Sequence, residues 1–117
     1  MSVELDPATV SLAARRSFEV VVMLRNTSKQ TVALSFPTSQ RIEILLRGPG
    51  GQSLGRWSDD QVFTQETSYL AINPGERVEY RETVSLRGAK TPGIHTVDVS
   101  VVGRSDLSSA LTLEATR

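Results

Sequence analysis

The sequence contains no cysteine, so the chain can form no disulfide, no thiolate nucleophile and no cysteine-based zinc site. Histidine and aromatic residues are also scarce, with one His and one Trp among 117 residues. No charge of either sign is in excess, because 13 basic residues balance 13 acidic ones. Nucleic acids and anionic membranes attract proteins through a surplus of positive charge, so we expect neither as a partner.

Long apolar runs are absent as well. No stretch approaches the ~20 apolar residues of a membrane span, and the segment 1–7 lacks the basic and apolar regions of a signal peptide. We therefore expect a cytoplasmic protein, or an exported one if a signal peptide upstream of Met1 has been trimmed. The length predicts one domain spanning residues 1–117, since a sandwich domain needs about 100 residues.

Apolar and polar residues alternate in short segments, which is the period-2 pattern of strands with one buried face. The clearest segment is Phe18–Leu24, where Val21 and Met23 are apolar on the second face too and indicate a central strand. Further strands are predicted around Val10 and Leu12, Val32–Phe36, Ile42–Leu46, a short segment before Arg56, Leu70 and Ile72, Val78–Leu86, Val97–Val101, and Leu107–Leu113.

Turn-forming residues separate these segments. The polar cluster 26–30 predicts a hairpin between the strands on either side of it, and Gly48–Gly51 predicts another turn. Asn73–Glu76 predicts a type II turn with Gly75 at the position of positive φ. Seven to nine strands without a helical pattern predict an all-β fold, an antiparallel immunoglobulin-like β-sandwich, with a closed barrel as the alternative.

Residues able to carry catalysis are almost missing. His95 is the only histidine, and its position next to a strand start predicts a structural residue that is partly buried or caps the sheet. Asp59 and Asp60 lack a third metal ligand at suitable spacing and predict an Asx-type turn beside Ser58. We therefore expect no enzyme activity, no catalytic residue, no metal and no cofactor.

The longest segment without alternation runs from Ser58 to Thr67 and predicts an exposed loop or an irregular edge that connects the two halves of the chain. Trp57 directly precedes this segment and Phe63 lies within it. Two interpretations stay open: the aromatic residues cover one end of the sandwich, or they serve as anchors for a protein partner, a role that aromatic residues often have.

The segment Arg56–Gln65 resembles the Trp-Ser-Asp…Phe-Thr-Gln segment of the BsuPI-type intracellular proteinase inhibitors, in residue type and in spacing. The resemblance extends over residues 18–102. Weaker supporting matches are Leu24–Ser28, Thr38–Gln40, Ile72–Glu76 with Tyr80 after it, and Pro92–Gly93. The sequence departs from the family pattern at Ile42-Glu43, where the family usually has an aromatic residue and Asp, and at Ile94-His95, where an aromatic residue usually follows Pro-Gly.

The resemblance implies an immunoglobulin-like β-sandwich that inhibits a subtilisin-type serine proteinase by non-covalent protein–protein binding. On this hypothesis the loop, or a neighbouring sheet edge, enters the proteinase cleft as an extended segment while Phe63 or Trp57 fills a pocket. The predicted partner-binding residues are Trp57, Ser58, Asp59, Phe63 and Gln65. The alternative is a non-inhibitory binding or adhesion module; in either case we expect a monomer or a weak dimer.

Overall fold

A computed structural model describes residues 1–117. It contains ten β-strands and one short 3-10 helix, Trp57–Asp60. The strands are β1 (Ser2–Asp6), β2 (Thr9–Ser11), β3 (Ser17–Arg25), β4 (Val32–Phe36), β5 (Ile42–Arg47), β6 (Ser53–Arg56), β7 (Ser68–Ile72), β8 (Arg77–Ser85), β9 (Gly93–Val101) and β10 (Arg104–Thr116). The structure contains no helical segment that could span a bilayer.

The strands form two main sheets that pack face to face, with a two-stranded pair beside them. One sheet has the order β1-β3-β8, the other has the order β2-β10-β9-β5-β6, and β4 pairs with β7. Both main sheets have free edges, so the fold is a sandwich and not the closed barrel that the sequence left as an alternative. β3 is flanked by β1 and β8, which confirms the central position predicted from Val21 and Met23.

Ten strands are one more than the predicted maximum of nine, because β1 was not recognised. Val3 and Leu5 are its only two apolar residues, too few to establish a period-2 pattern. After β1 the chain crosses through Asp6-Pro7, whose peptide bond is cis, into the opposite sheet. There β2 runs parallel to β10, so the predicted all-antiparallel pairing has one parallel exception.

The predicted hairpin between β3 and β4 is wrong. β3 pairs with β8 up to Arg25 and Arg77, and β4 pairs with β7 from Val32 and Ile72 onward. The polar cluster after Arg25 therefore interrupts a long antiparallel ladder between residues 17–36 and 68–85, and does not reverse the chain beside β3. A polar cluster between two apolar strands does not distinguish these two arrangements.

Hydrogen bonds of Asn26 stabilise the polar cluster that interrupts the ladder. Its side-chain Nδ2 donates to the carbonyl oxygens of Gln30 and Ile72, at 2.7 Å each, and its Oδ1 accepts from the amide and the hydroxyl of Ser28. Its main chain bonds to Gly75 and Glu76 in the turn between β7 and β8. Asn26 is 5% exposed, so a buried amide with all its hydrogen-bonding groups satisfied joins the polar cluster, the end of β7 and the turn before β8.

The core lies between the two main sheets and uses the alternating residues that the sequence pattern predicted. The larger cluster includes Phe18, Val20, Val22, Ile42, Ile44, Leu46, Val84, Val97, Val99 and Leu113. A smaller cluster fills the space under the β4–β7 pair and consists of Leu24, Leu34, Phe36, Ile72 and Val101. The turn before β8 is as predicted, since Gly75 has φ +81° and the Glu76 amide donates to the Asn73 carbonyl.

β8 forms an edge of the three-stranded sheet and carries one charged residue on its inward face. Glu82 lies between Tyr80 and Val84 on that face and is half-buried, and burial raises the pKa of its carboxyl group. On the outward face the Arg81 guanidinium forms an ion pair with Glu19 of β3, which raises the pKa of Arg81. An inward-pointing charge on an edge strand disfavours pairing with another strand.

Candidate functional site

The segment 57–67 connects the five-stranded sheet to the β4–β7 pair, and we call it the 57–67 loop. β6 ends at Arg56, one turn of 3-10 helix follows at Trp57–Asp60, and Gln61 returns to an extended conformation with φ −114° and ψ 155°. The sequence predicted this exposed loop but not its helical turn. Asp59 and Asp60 lie in that turn in place of the predicted Asx-type turn, because the Gln61 amide donates to the Ser58 carbonyl.

The beginning of the loop is attached to β5 through the Glu43 carboxylate. The Ser58 hydroxyl donates to Glu43 Oε2 at 2.6 Å, and the Ser58 amide donates to Oε1 at 3.3 Å. The same carboxylate accepts from the Ile44 amide at 3.0 Å and from Gln40 Nε2 at 3.1 Å. Hydrogen bonds to a carboxylate are stronger than those between neutral groups, so this cluster fixes the helical turn on the sheet.

The end of the loop is attached to the segment before β5. The Ser39 amide donates to the Thr64 carbonyl at 3.1 Å, and the Thr64 amide donates to Ser39 Oγ at 2.9 Å. Four residues further on, the Ser68 hydroxyl donates to the Thr38 carbonyl at 2.6 Å. The residues between Ser58 and Thr64 are therefore held at both ends by hydrogen bonds to residues 38–43.

Two aromatic side chains support the loop from the inside. Trp57 is half-buried and packs against the larger core cluster, and the ring of Phe63 lies against it with centroids 5.8 Å apart and planes inclined by 59°. This tilted arrangement is a favourable geometry for aromatic pairs. Trp57 Nε1 is buried without a hydrogen-bond partner. Both aromatic residues are thus turned toward the protein, as in the interpretation in which they cover one end of the sandwich.

Val62 points the other way. Its side chain is 98% exposed, the highest value among the large apolar residues of the chain. Neither its amide nor its carbonyl makes a hydrogen bond within the protein. Neighbouring side chains of an extended chain point in opposite directions, so the inward packing of Phe63 places Val62 outward. The sequence analysis did not select Val62, although an aliphatic residue in an otherwise polar loop was the available signal.

The five residues predicted to bind a partner all lie in the 57–67 loop, but in different environments. Trp57, Ser58 and Phe63 are half-buried and form its framework, whereas Asp59 and Gln65 are exposed. Gln65 Nε2 donates to the Phe63 carbonyl at 3.3 Å. Glu43 and Ser39, which hold the loop in place, were not selected from the sequence, because their contacts with it span 15 and 25 residues.

A cleft of about 380 Å³ opens next to the loop, between the facing edges of the two main sheets. Its charged lining residues are Arg16, Arg56, Arg87, Asp59 and Asp60. None of the three guanidinium groups forms an ion pair within the protein. A partner that covers the loop from this side therefore meets both signs of charge within a small area.

The remaining candidates from the sequence lie outside this site. His95 is fully buried in β9, deeper than the partial burial predicted, and its Nδ1 lies 3.1 Å from the Gly93 carbonyl oxygen while Nε2 has no partner. Asp59 and Asp60 have no further ligand beside them, and no group of three or more His, Asp or Glu residues is placed to hold a metal ion.

Fold and site together define a β-sandwich protein with a surface loop held at both ends and one aliphatic residue presented outward. Residues 6–106 match the family described as BsuPI, intracellular proteinase inhibitor, and this match includes the whole of the 57–67 loop. The chain belongs to this proteinase inhibitor family, as its resemblance in the Arg56–Gln65 segment indicated. A comparison with curated proteins finds no match to the sequence.

Solved structures share the fold. A β-glucosidase from Listeria innocua in complex with isofagomine matches with a TM-score of 0.57 and 16% sequence identity. The same enzyme in complex with glucose gives the same two values. Each match covers 99% of this chain but only 16% of the enzyme chain, so this sandwich corresponds to a small part of that protein. At this identity the likeness concerns the fold alone.

Proposed function

We propose that the protein inhibits a serine proteinase of the subtilisin type by non-covalent binding of the 57–67 loop in the active-site cleft. The observation that carries this proposal is the attachment of the loop at both of its ends, through Ser58 to Glu43 and through Thr64 to Ser39. A segment that is already ordered before binding loses less conformational entropy in the complex, which favours tight binding. The subtilisin type is inferred from the resemblance to the family.

The exposed face of the loop fits the way in which peptides bind in clefts. The main chain at Gln61 is extended, and the amide and carbonyl groups of Val62 are free to pair with a neighbouring strand. Main-chain pairing of this kind supplies affinity, while alternate side chains supply specificity. Trp57, Ser58 and Phe63 act in this proposal as the framework of the loop, and Asp59 and Gln65 lie on its accessible surface.

Two further features of the protein are part of the proposal. We propose that residues 1–117 act as one immunoglobulin-like domain, which the order β2-β10-β9-β5-β6 of the larger sheet and the single parallel pair β2–β10 support. We also propose a cytoplasmic protein that is not an enzyme, in keeping with an intracellular inhibitor family and with the full burial of His95, the only histidine.

The decisive experiment titrates the purified protein into active-site-titrated serine proteinases of the subtilisin type, including the one from the host cytoplasm. Residual activity is followed with a small chromogenic peptide, and the mass of the recovered inhibitor is measured by mass spectrometry to show whether it has been cleaved. We expect a linear fall in activity to a 1:1 end point with the inhibitor intact. No inhibition at micromolar excess of folded protein would reject the proposal and favour the non-inhibitory binding module.

Two variants assign inhibition to the loop. Trp57→Ala and Phe63→Ala remove the aromatic support, so we expect weaker inhibition from both. Tyr69→Ala is the matched control, because Tyr69 is an aromatic residue of β7 that is 72% exposed and contacts neither of the other two rings. Thermal unfolding checks that each variant is folded. Full inhibition by folded Trp57→Ala and Phe63→Ala would show that another surface binds the proteinase.

A further inference from the structure

We infer that Val62 is the residue that enters the primary specificity pocket of the proteinase, and that this pocket is one that accepts a small aliphatic side chain. This inference rests on the proposed function and gives it a substrate class. A single exposed aliphatic residue is common on protein surfaces and means little by itself. The position of Val62 within the loop, its main chain and its neighbours distinguish it from such residues.

The first observation is position. Val62 lies between the two attachment points of the loop, four residues after Ser58 and two before Thr64, and it is 98% exposed. Residues 58 and 64 are both hydrogen-bonded to the segment 38–43, so the residues between them form a segment with two fixed ends. A fully exposed side chain between two fixed ends is open to a concave partner.

The second observation concerns the aromatic residues, which are the larger candidates for filling a pocket. Trp57 packs on the core and Phe63 packs on Trp57. Either ring would have to leave this contact to reach a partner, and the aromatic pair would be lost. Val62 needs no rearrangement, and its β-branched side chain has one strongly restricted torsion, so little rotational freedom is lost when it is bound.

The third observation is the main chain of Val62. Its amide and carbonyl have no partner in the protein. Gln61 before it is extended and Thr64 after it is fixed by Ser39, so these free groups are presented in a defined orientation. A cleft that binds extended peptides pairs with such groups and takes up the side chain between them. The chain therefore offers a small apolar group together with the polar groups that position it.

The test uses two substitutions of Val62 and a panel of proteinases that differ in their primary pocket. The pocket is acidic in trypsin, a large apolar slot in chymotrypsin and small in elastase, and the subtilisin-type target is added to these. Val62→Asp places a charge in an apolar pocket, so we expect inhibition of the proteinase that the unchanged protein inhibits to weaken at least 100-fold. Val62→Arg matches the acidic pocket, so we expect it to strengthen inhibition of trypsin at least tenfold.

The matched control is Ile94→Arg. Ile94 is an aliphatic residue that is 54% exposed at the start of β9. Ile94 lies six residues along β9 from Ser100, which pairs with Glu43. Six residues of a strand span about 20 Å, so Ile94 is far from the attachment of the loop at Glu43. We expect Ile94→Arg to leave every inhibition constant within twofold. Thermal unfolding of all variants should stay unchanged, because both side chains point into solvent.

The outcomes separate the two proposals. Inhibition by the unchanged protein that Val62→Asp does not weaken would overturn the assignment of Val62 while leaving the inhibitor function in place. A loss with Val62→Asp together with a new preference of Val62→Arg for trypsin would establish it. Absence of inhibition by the unchanged protein against every proteinase of the panel would overturn both proposals, and equal losses for Val62→Arg and Ile94→Arg would also reject the assignment.

Discussion

The hydrogen bond between Ser58 and Glu43 is the contact on which the order of the 57–67 loop most depends. The donor and acceptor are 2.6 Å apart, and the acceptor is a carboxylate. Hydrogen bonds to charged groups contribute about 1.5–3 kcal/mol. Both side chains are half-buried, so we take the lower end, and we expect Ser58→Ala to reduce the free energy of unfolding by about 1.5 kcal/mol.

This change in stability corresponds to a measurable shift in melting temperature. Unfolding entropy is about 2.1 cal/mol/K per residue, so for 117 residues a change of 1 kcal/mol moves the melting temperature by roughly 4 °C. Ser58→Ala should therefore lower it by roughly 6 °C. Ser53→Ala serves as the control, because Ser53 is exposed in β6 and should change the melting temperature by less than about 2 °C.

A double-mutant cycle isolates the contact itself. Glu43→Gln also weakens the bonds from Ile44 and Gln40, so the single substitutions do not report on one contact alone. We expect a coupling energy of about 1 kcal/mol between Ser58→Ala and Glu43→Gln, from urea unfolding. The same variants should bind the proteinase several-fold more weakly, with faster dissociation. A coupling below about 0.3 kcal/mol would refute the argument that this bond orders the loop.

Two further predictions concern the framework. Asn26→Ala removes four side-chain hydrogen bonds of a residue that is 5% exposed, so we expect a loss of about 3 kcal/mol in urea unfolding; a loss under about 1 kcal/mol would mean that water replaces these bonds. Glu82→Gln removes a carboxylate whose pKa is raised by burial, so its charged form destabilises the folded state. The variant should therefore be more stable than the unchanged protein at pH 7. This advantage should disappear as the pH falls below about 4.3, where Glu82 is protonated in both folded and unfolded chains. Glu79→Gln, on the exposed face of the same strand, is the control and should give no gain in stability at pH 7; unfolding curves of both variants are recorded from pH 3 to 8.

The strands and their buried faces could be predicted from the sequence, because alternation follows directly from which face is buried. Phe18, Val20, Val22 and Leu24 are all buried, as are Val97 and Val99 in β9. Partner strands could not be predicted in the same way. Alternation determines which face of a sheet a residue lies on but carries no information about the neighbouring strand. For this reason the prediction of a hairpin between β3 and β4 was wrong.

The site was predicted as a segment and not as a set of contacts. The lack of alternation, the two aromatic residues and the family resemblance all located the 57–67 loop. The residues that hold it are Ser39 and Glu43, and their partners lie in a different part of the sequence. An aliphatic residue in a polar loop was a signal for Val62, but the sequence does not show whether such a valine is buried or exposed. Only the inward packing of Phe63 on Trp57 distinguishes the two possibilities.

The parallel pairing of β2 with β10 has a consequence for synthesis of the protein. Residues 9–11 pair with Glu114–Thr116, and β10 lies in the interior of the larger sheet, between β2 and β9. Protein synthesis adds about 5–20 residues per second, so β2 has no partner strand for roughly 5 to 20 seconds after it has been made. Until residue 101 has been made, β5 also lacks β9, the strand that holds Glu43 in its sheet. We therefore expect the nascent chain to be a potential proteinase substrate, and the capacity to inhibit to arise only after Thr116 has been made.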